Sequence, residues 1–207
     1  MEMIKMLEKS IEKIVRERIK KGSRLEAENK SAGFFYSEDD FQISLIHEFE
    51  FQDHYKKDFI VYYEKNYIDI LLESRTDKKR YPIELKYSNV YNKVDYGKKI
   101  YTIIKKLGED INFIKNILFK KNVERGYCIV LANMKFCEKK YMEKLQPYAT
   151  FDFPNNKLSG ILKYKNKLDD VQINIAKANP CLIRYAEIEN YQYLIIEISK
   201  DNFRDDK

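Results

Sequence analysis

The sequence predicts an α/β fold, a mixed central sheet flanked by helices, and three observations carry that prediction. Apolar residues recur at helical spacing in two separate stretches, at Ile4, Leu7, Ile11 and Ile14 and again at Leu107, Ile111, Ile114 and Leu118. Between them lie extended apolar segments joined by tight polar turns. After Gly126, Tyr127–Leu131 is a continuous apolar run, which suits a strand buried on both faces. Helix, hairpin, helix, buried strand and helix in that order are the parts of a sheet covered by helices.

Residues 2–21 form the first amphipathic helix, ending near Gly22, and its apolar stripe is expected to dock on the body of the protein. Residues 23–36 read as a loop. Ser37 followed by Glu38, Asp39 and Asp40 is a helix start, with a hydroxyl N-cap and acids in the first turn. Phe41, Leu45, Glu48 and Gln52 then share one face of this second helix. Val61–Tyr63 and Tyr67–Leu72 are predicted strands with a turn around Glu64–Asn66; Arg75–Arg80 is a polar turn, and Pro82–Tyr87 a third strand. A helix over 107–121, the buried strand at Tyr127–Leu131 and a helix over 138–146 follow. Ile161–Tyr164, Val171–Ile175 and Tyr193–Ile198 are strand-like.

The 207 residues, 44% of them hydrophobic, suit one domain with a substantial core. No Pro/Gly-rich linker or internal repeat divides the chain, so 1–207 is read as a single unit: helix 2–21, core 37–131 and a C-terminal elaboration 132–207. The net charge of +6 is compatible with a polyanionic partner without identifying one. Cys128, Cys137 and Cys181 are too few and too far apart for a disulfide framework, which fits a reducing cytoplasm. Charges every few residues in the first twenty-two positions argue against a signal-peptide core and against a membrane span. The six glycines make no dinucleotide-binding or P-loop pattern, and no serine-hydrolase elbow is present.

Chemistry concentrates between Asp69 and Lys86. Alternate side chains of a strand face the same way, so Glu84 and Lys86 project together while Ile83, Leu85 and Tyr87 face the other side. A turn centred near Thr76–Asp77 sets Asp69 opposite Glu84 across an antiparallel pair. Two carboxylates and an ammonium would then meet beside the apolar Ile68, Ile70, Leu71, Ile83 and Leu85. Like charges drawn out of water need neutralising, and a divalent cation does this well. Mg²⁺, or Mn²⁺, takes one or two carboxylates together with waters and phosphate oxygens, which leaves room for a phosphodiester. Lys86 would then position the attacking water or stabilise charge on phosphorus.

Ile68-Asp69-Ile70 followed by Ile83-Glu84-Leu85-Lys86 resembles the D-x(n)-E-x-K signature of the PD-(D/E)XK nuclease superfamily, the restriction-endonuclease-like fold. Ile68 stands where proline often precedes the aspartate. The resemblance covers Ser37 to about Leu131. It implies a metal-dependent endonuclease acting on DNA, in restriction, defence or repair. One such site cuts one strand, so a double-strand break implies a homodimer. It also implies a metal-binding glutamate on the first core helix, for which Glu38 and Glu48 are candidates; Glu48, on the Phe41/Leu45 face, is preferred. The implied catalytic set is Asp69, Glu84, Lys86 and Glu48, with Asp69, Glu84 and Glu48 on the metal.

Gln42 and Tyr87 are candidates to line this site. Asp110, read as a first-turn acid of its helix, is a candidate to orient Lys86 or the metal. Lys98, Lys99, Lys105 and Lys106 are candidates to track a nucleic-acid backbone, although charged helix faces are often simply solvated. A second Glu/Lys alternation, Ile196–Lys200, lacks a partnered aspartate strand and reads as an edge strand with an outward charge. His47-Glu48 fails as a zinc-protease motif because Phe51 occupies the place of the second histidine. The same fold without cleavage, a nucleic-acid- or protein-binding module, is the rival expectation, as is a nuclease acting on RNA or on nucleic-acid ends.

Overall fold

The computed structural model describes residues 3–25, 35, 37–65, 67–88, 96–120, 122–132, 150–152, 157–165, 170–175, 181–188 and 191–203. At 22–25, 54, 65, 96–101, 104–105, 203 and the strand residues between 150 and 187, the backbone alone is described. The helix expected at 138–146, Cys137 and most of the loop expected at 23–36 lie outside the described residues.

Helix α1, Met3–Leu25, runs through Gly22 and ends later than its apolar spacing predicts. Its stripe of Ile4, Leu7, Ile11 and Ile14 is buried, together with Met6 and Val15. It docks on the body as expected, against α2, Glu38–Phe51. Ser37 caps α2: its backbone is extended and its hydroxyl accepts from Asp40 N at 3.1 Å. Two ion pairs join the helices, Arg18 with Asp40, and Lys13 with Glu48 at 2.7 Å. A short helix α3, Asp53–Asp58, leads into the sheet.

The first strands are β1, Phe59–Lys65, β2, Ile68–Ser74, and β3, Arg80–Ser88. They form an antiparallel meander, in which Ile70 pairs with Ile83 and Glu73 with Arg80. Helix α4, Tyr96–Leu118, then crosses over to β4, Arg125–Ala132, which pairs parallel to β3. The remaining strands are β5, Thr150–Asp152, β6, Lys157–Lys165, β7, Asp170–Ile175, β8, Cys181–Ile188, and β9, Tyr191–Ser199. The nine-stranded sheet has the order β1-β2-β3-β4-β9-β8-β6-β5, with β7 paired to β6. Its first five strands, mixed in direction, lie between helices. β4 is buried from Gly126 to Ala132, as its continuous apolar run requires.

One correction falls on β9. It is an interior strand, hydrogen-bonded to β4 and to β8, and not an edge. Glu197 accepts from Arg125 at 2.9 Å and from the Tyr127 hydroxyl at 3.0 Å, so its charge is paired inside the sheet. Alternation alone cannot tell an edge strand from an interior one whose polar residue has found partners.

The two faces of the sheet divide cleanly. Ile70, Leu72, Ile83, Leu85, Tyr127, Ile129 and Leu131 share a core with Phe41, Leu45 and Phe49 of α2 and the stripe of α1. The opposite face of β3 and β4 meets α4. There Gly126 allows close approach: a Cβ at this position would stand 2.4 Å from Ile114 Cγ2 and 3.3 Å from Pro82 Cγ. Ile114 is fully buried and branched at Cβ, so it cannot swing aside. Gly126→Ala is expected to cost about 1–3 kcal/mol of stability through overpacking, read as a fall in the urea midpoint. Among the described residues, no helix is long and apolar enough to cross a membrane.

Candidate active site

The candidate site forms where β2 and β3 part. Their backbone ladder reaches Ile70 and Ile83, and one step further the pairing passes to a side chain. Asp69 Oδ2 accepts from the Leu85 amide at 2.7 Å, so the carboxylate fills the place of a backbone partner and points across to β3. Gln42, one turn into α2, donates from Nε2 to the Asp69 carbonyl at 2.7 Å and fixes the same residue from the other side.

Glu84 sits beside Asp69 on β3. It is 5% exposed, and its Oε1 is buried with no hydrogen-bond partner. Burial, and then the charges of Asp69 and Asp110, push its carboxyl up to about 9, against which Lys86 acts only in part. The two carboxyl groups are within hydrogen-bonding reach of each other, which raises the same pKa further. In its parallel register Glu84 pairs with Cys128, so it faces the α4 side of the sheet and lies away from the larger core.

Lys86 shares that face, two residues on. Its Nζ lies 3.3 Å from Asp110 Oδ2 and 3.5 Å from Glu38 Oε1, and donates to the Leu85 carbonyl at 2.6 Å. Burial works against the ammonium, but Asp110, Glu38 and Asp69 outweigh it and hold the Lys86 pKa above its ordinary value. The lysine is therefore a fixed positive charge beside the carboxyl pair.

The structure places the other predicted residues as follows. Glu48, the preferred helix acid, accepts from Lys13 at 2.7 Å and from Gln52 at 3.3 Å, and so faces α1. Glu38 is the acid that approaches the cluster: its Oε2 accepts from the Tyr87 amide at 3.0 Å while its Oε1 faces Lys86. The reason lies in helix direction. Ten residues separate the two glutamates, about 15 Å along the axis, and it is the N-terminus of α2 that meets the end of β3. Tyr87 donates its hydroxyl to the Phe35 carbonyl at 2.9 Å and packs its ring near Phe35 and Phe41, a structural setting. Asp110 is not in a first turn, because α4 begins at Tyr96; it is a mid-helix acid held against Lys86. The side chains of Lys98, Lys99 and Lys105 lie outside the described residues, and Lys106 is exposed on α4.

Among the described residues, no three His, Cys, Asp or Glu side chains are gathered as a metal site. The Asp69–Glu84 pair nonetheless suits a hard divalent ion: one buried oxygen lacks a partner, Lys86 offsets only part of the carboxyl repulsion, and Mg²⁺ completes its shell with water. No protein-family model, curated protein or solved structure matches the chain.

Proposed function

We propose that this protein is a metal-dependent endonuclease on a restriction-endonuclease-like fold, hydrolysing phosphodiester bonds in DNA. The observation that carries the reading is the buried Glu84 carboxyl, with one unpartnered oxygen, set against Asp69 and two residues from a charged Lys86. The β1–β2–β3 meander and the parallel β3–α4–β4 crossover support the fold assignment. Asp69 and Glu84 would hold Mg²⁺ or Mn²⁺, which supplies Lewis-acid polarisation and a lowered pKa for water.

The chain's own residues divide the remaining work. Lys86 stabilises negative charge as a water oxygen adds to phosphorus and the bond to the leaving oxygen breaks. Asp110 and Glu38 hold the lysine in place and keep it charged. Gln42 and the Leu85 amide fix Asp69, so the carboxyl pair needs little rearrangement before reaction. Glu38, and not Glu48, is the acid of α2 at the cluster, and its part is to hold Lys86 and not the metal. A cytoplasmic role and a homodimer cutting both strands complete the proposal.

The test is incubation with supercoiled plasmid, linear duplex and single strands, each with Mg²⁺, Mn²⁺ or EDTA. Nicking or linearisation that depends on the cation is the expected result. Tight binding that is equal in EDTA, with no strand broken in any arm, would leave a binding module and refute the hydrolase.

A further inference from the structure

The hairpin joining β1 to β2 carries two tyrosines that the proposed chemistry does not use. Tyr67 is 92% exposed at the tip, beside the Lys65–Ile68 pair; Tyr63 is 65% exposed but pairs with Ile70, on the sheet face that carries the larger core. Tyr67 also has a φ of 66°. That is the left-handed region, which a bulky L-residue occupies only at a cost and which glycine fills freely in a tight hairpin turn. Glu64, beside Tyr63, has a φ of 48° and shares the strain. An aromatic side chain held fully in water, on backbone that favours glycine, gains nothing for the fold.

Its position suggests what it gains. Tyr67 lies two residues before Asp69, so their Cα atoms stand at most about 7 Å apart. Since β2 and β3 are antiparallel, the tip stands at the same end of the sheet as Lys86–Ser88 and the start of α2. An aromatic ring near a phosphodiester site presents a π-face to whichever base is unstacked there, and every base offers such a face. Tyrosine is well suited to this because few rotamers are lost when it is covered.

We propose that Tyr67 is a stacking platform for an unpaired base next to the phosphodiester at Asp69 and Glu84, so that the site takes single-stranded or frayed DNA. This rests on the nuclease reading for its location but is tested without cleavage. Binding of a single-stranded oligonucleotide bearing 2-aminopurine, and of the matching duplex, is measured in EDTA by anisotropy and by quenching of the stacked base. Wild type and Tyr67→Phe are expected to bind the single strand and quench it. Tyr67→Ala is expected to bind it about tenfold more weakly with the quench lost, and Tyr63→Ala, on the opposite face of β1, to bind and quench as wild type does. Duplex binding is expected to be the same in all variants. Unchanged single-strand affinity and quenching in Tyr67→Ala overturns the platform, as does Tyr67→Phe failing like Tyr67→Ala, or a wild type that binds no single strand. Mg²⁺-dependent plasmid cleavage run in parallel separates the two ideas. A protein that cleaves but shows no tyrosine dependence loses only the platform, whereas one that stacks the base and never cleaves loses only the nuclease reading.

Discussion

Asp69→Asn and Glu84→Gln are each expected to slow DNA cleavage by about a thousandfold or more, without unfolding the protein. The magnitude follows from the several kcal/mol of transition-state stabilisation that a correctly held cation contributes, at a factor of ten for each 1.4 kcal/mol. Lys86→Ala removes the fixed positive charge and is expected to cost about a hundredfold or more. The two helix acids provide the contrast. Glu38→Gln frees Lys86 from one of its two carboxylate partners and is expected to lower the rate about tenfold, while Glu48→Gln disturbs contacts with Lys13 and Gln52 away from the cluster and leaves it near wild type. Single-turnover cleavage at fixed Mg²⁺ measures all five, with circular dichroism as the check on folding. Near-normal rates in both Asp69→Asn and Glu84→Gln would remove the basis of the assignment.

The second large effect is on stability, and its sign is opposite. The Glu84 carboxyl is pushed up to about 9 in the folded chain against an ordinary value of 4.5. Between those pH values the folded protein holds a proton that the unfolded chain releases. The fold therefore loses stability steadily as pH rises through this window, and the loss is complete only above the folded pKa. By pH 8 the penalty amounts to several kcal/mol. Glu84→Gln keeps the shape of the protonated group without an ionisable proton. In EDTA it is expected to raise the urea midpoint markedly at pH 8 and little at pH 5. Mg²⁺ is expected to stabilise wild type at pH 8 and to leave the glutamine variant almost unmoved, since the cation then lacks half its carboxylates. A wild type and a variant with the same pH dependence would show that Glu84 is not the strained group.

Much of this site was legible in the chain itself. The polar turn after β2 set its register, and strand alternation put Glu84 and Lys86 on one face, because both depend on local periodicity. The helix start at Ser37 was readable for the same reason: a cap is a local hydrogen bond. What failed was long-range. The preference for Glu48 used the helix face and ignored which end of α2 points at the sheet, and only the packing of α1 shows that Lys13 claims that glutamate. Asp110 was placed in a first turn because the helix was started at Leu107, although Tyr96, Ile100, Ile103 and Leu107 already carry the same spacing. β9 was read as an edge because pairing across more than sixty residues leaves no mark in a local pattern.

That last pairing bears on when the protein becomes competent during its synthesis. Strand β4, which backs the candidate site, has β3 on one side and, on the other, a neighbour that spans residues 191–199. While the ribosome is still making residues 133–190, one long flank of β4 stays unsealed, with its amides and carbonyls open to water or to other nascent chains. Docking of β9 completes the floor beneath Glu84 and Lys86 only after residues 191–199 have been made. A DNA-cutting protein assembled in this order would stay harmless until that strand docks.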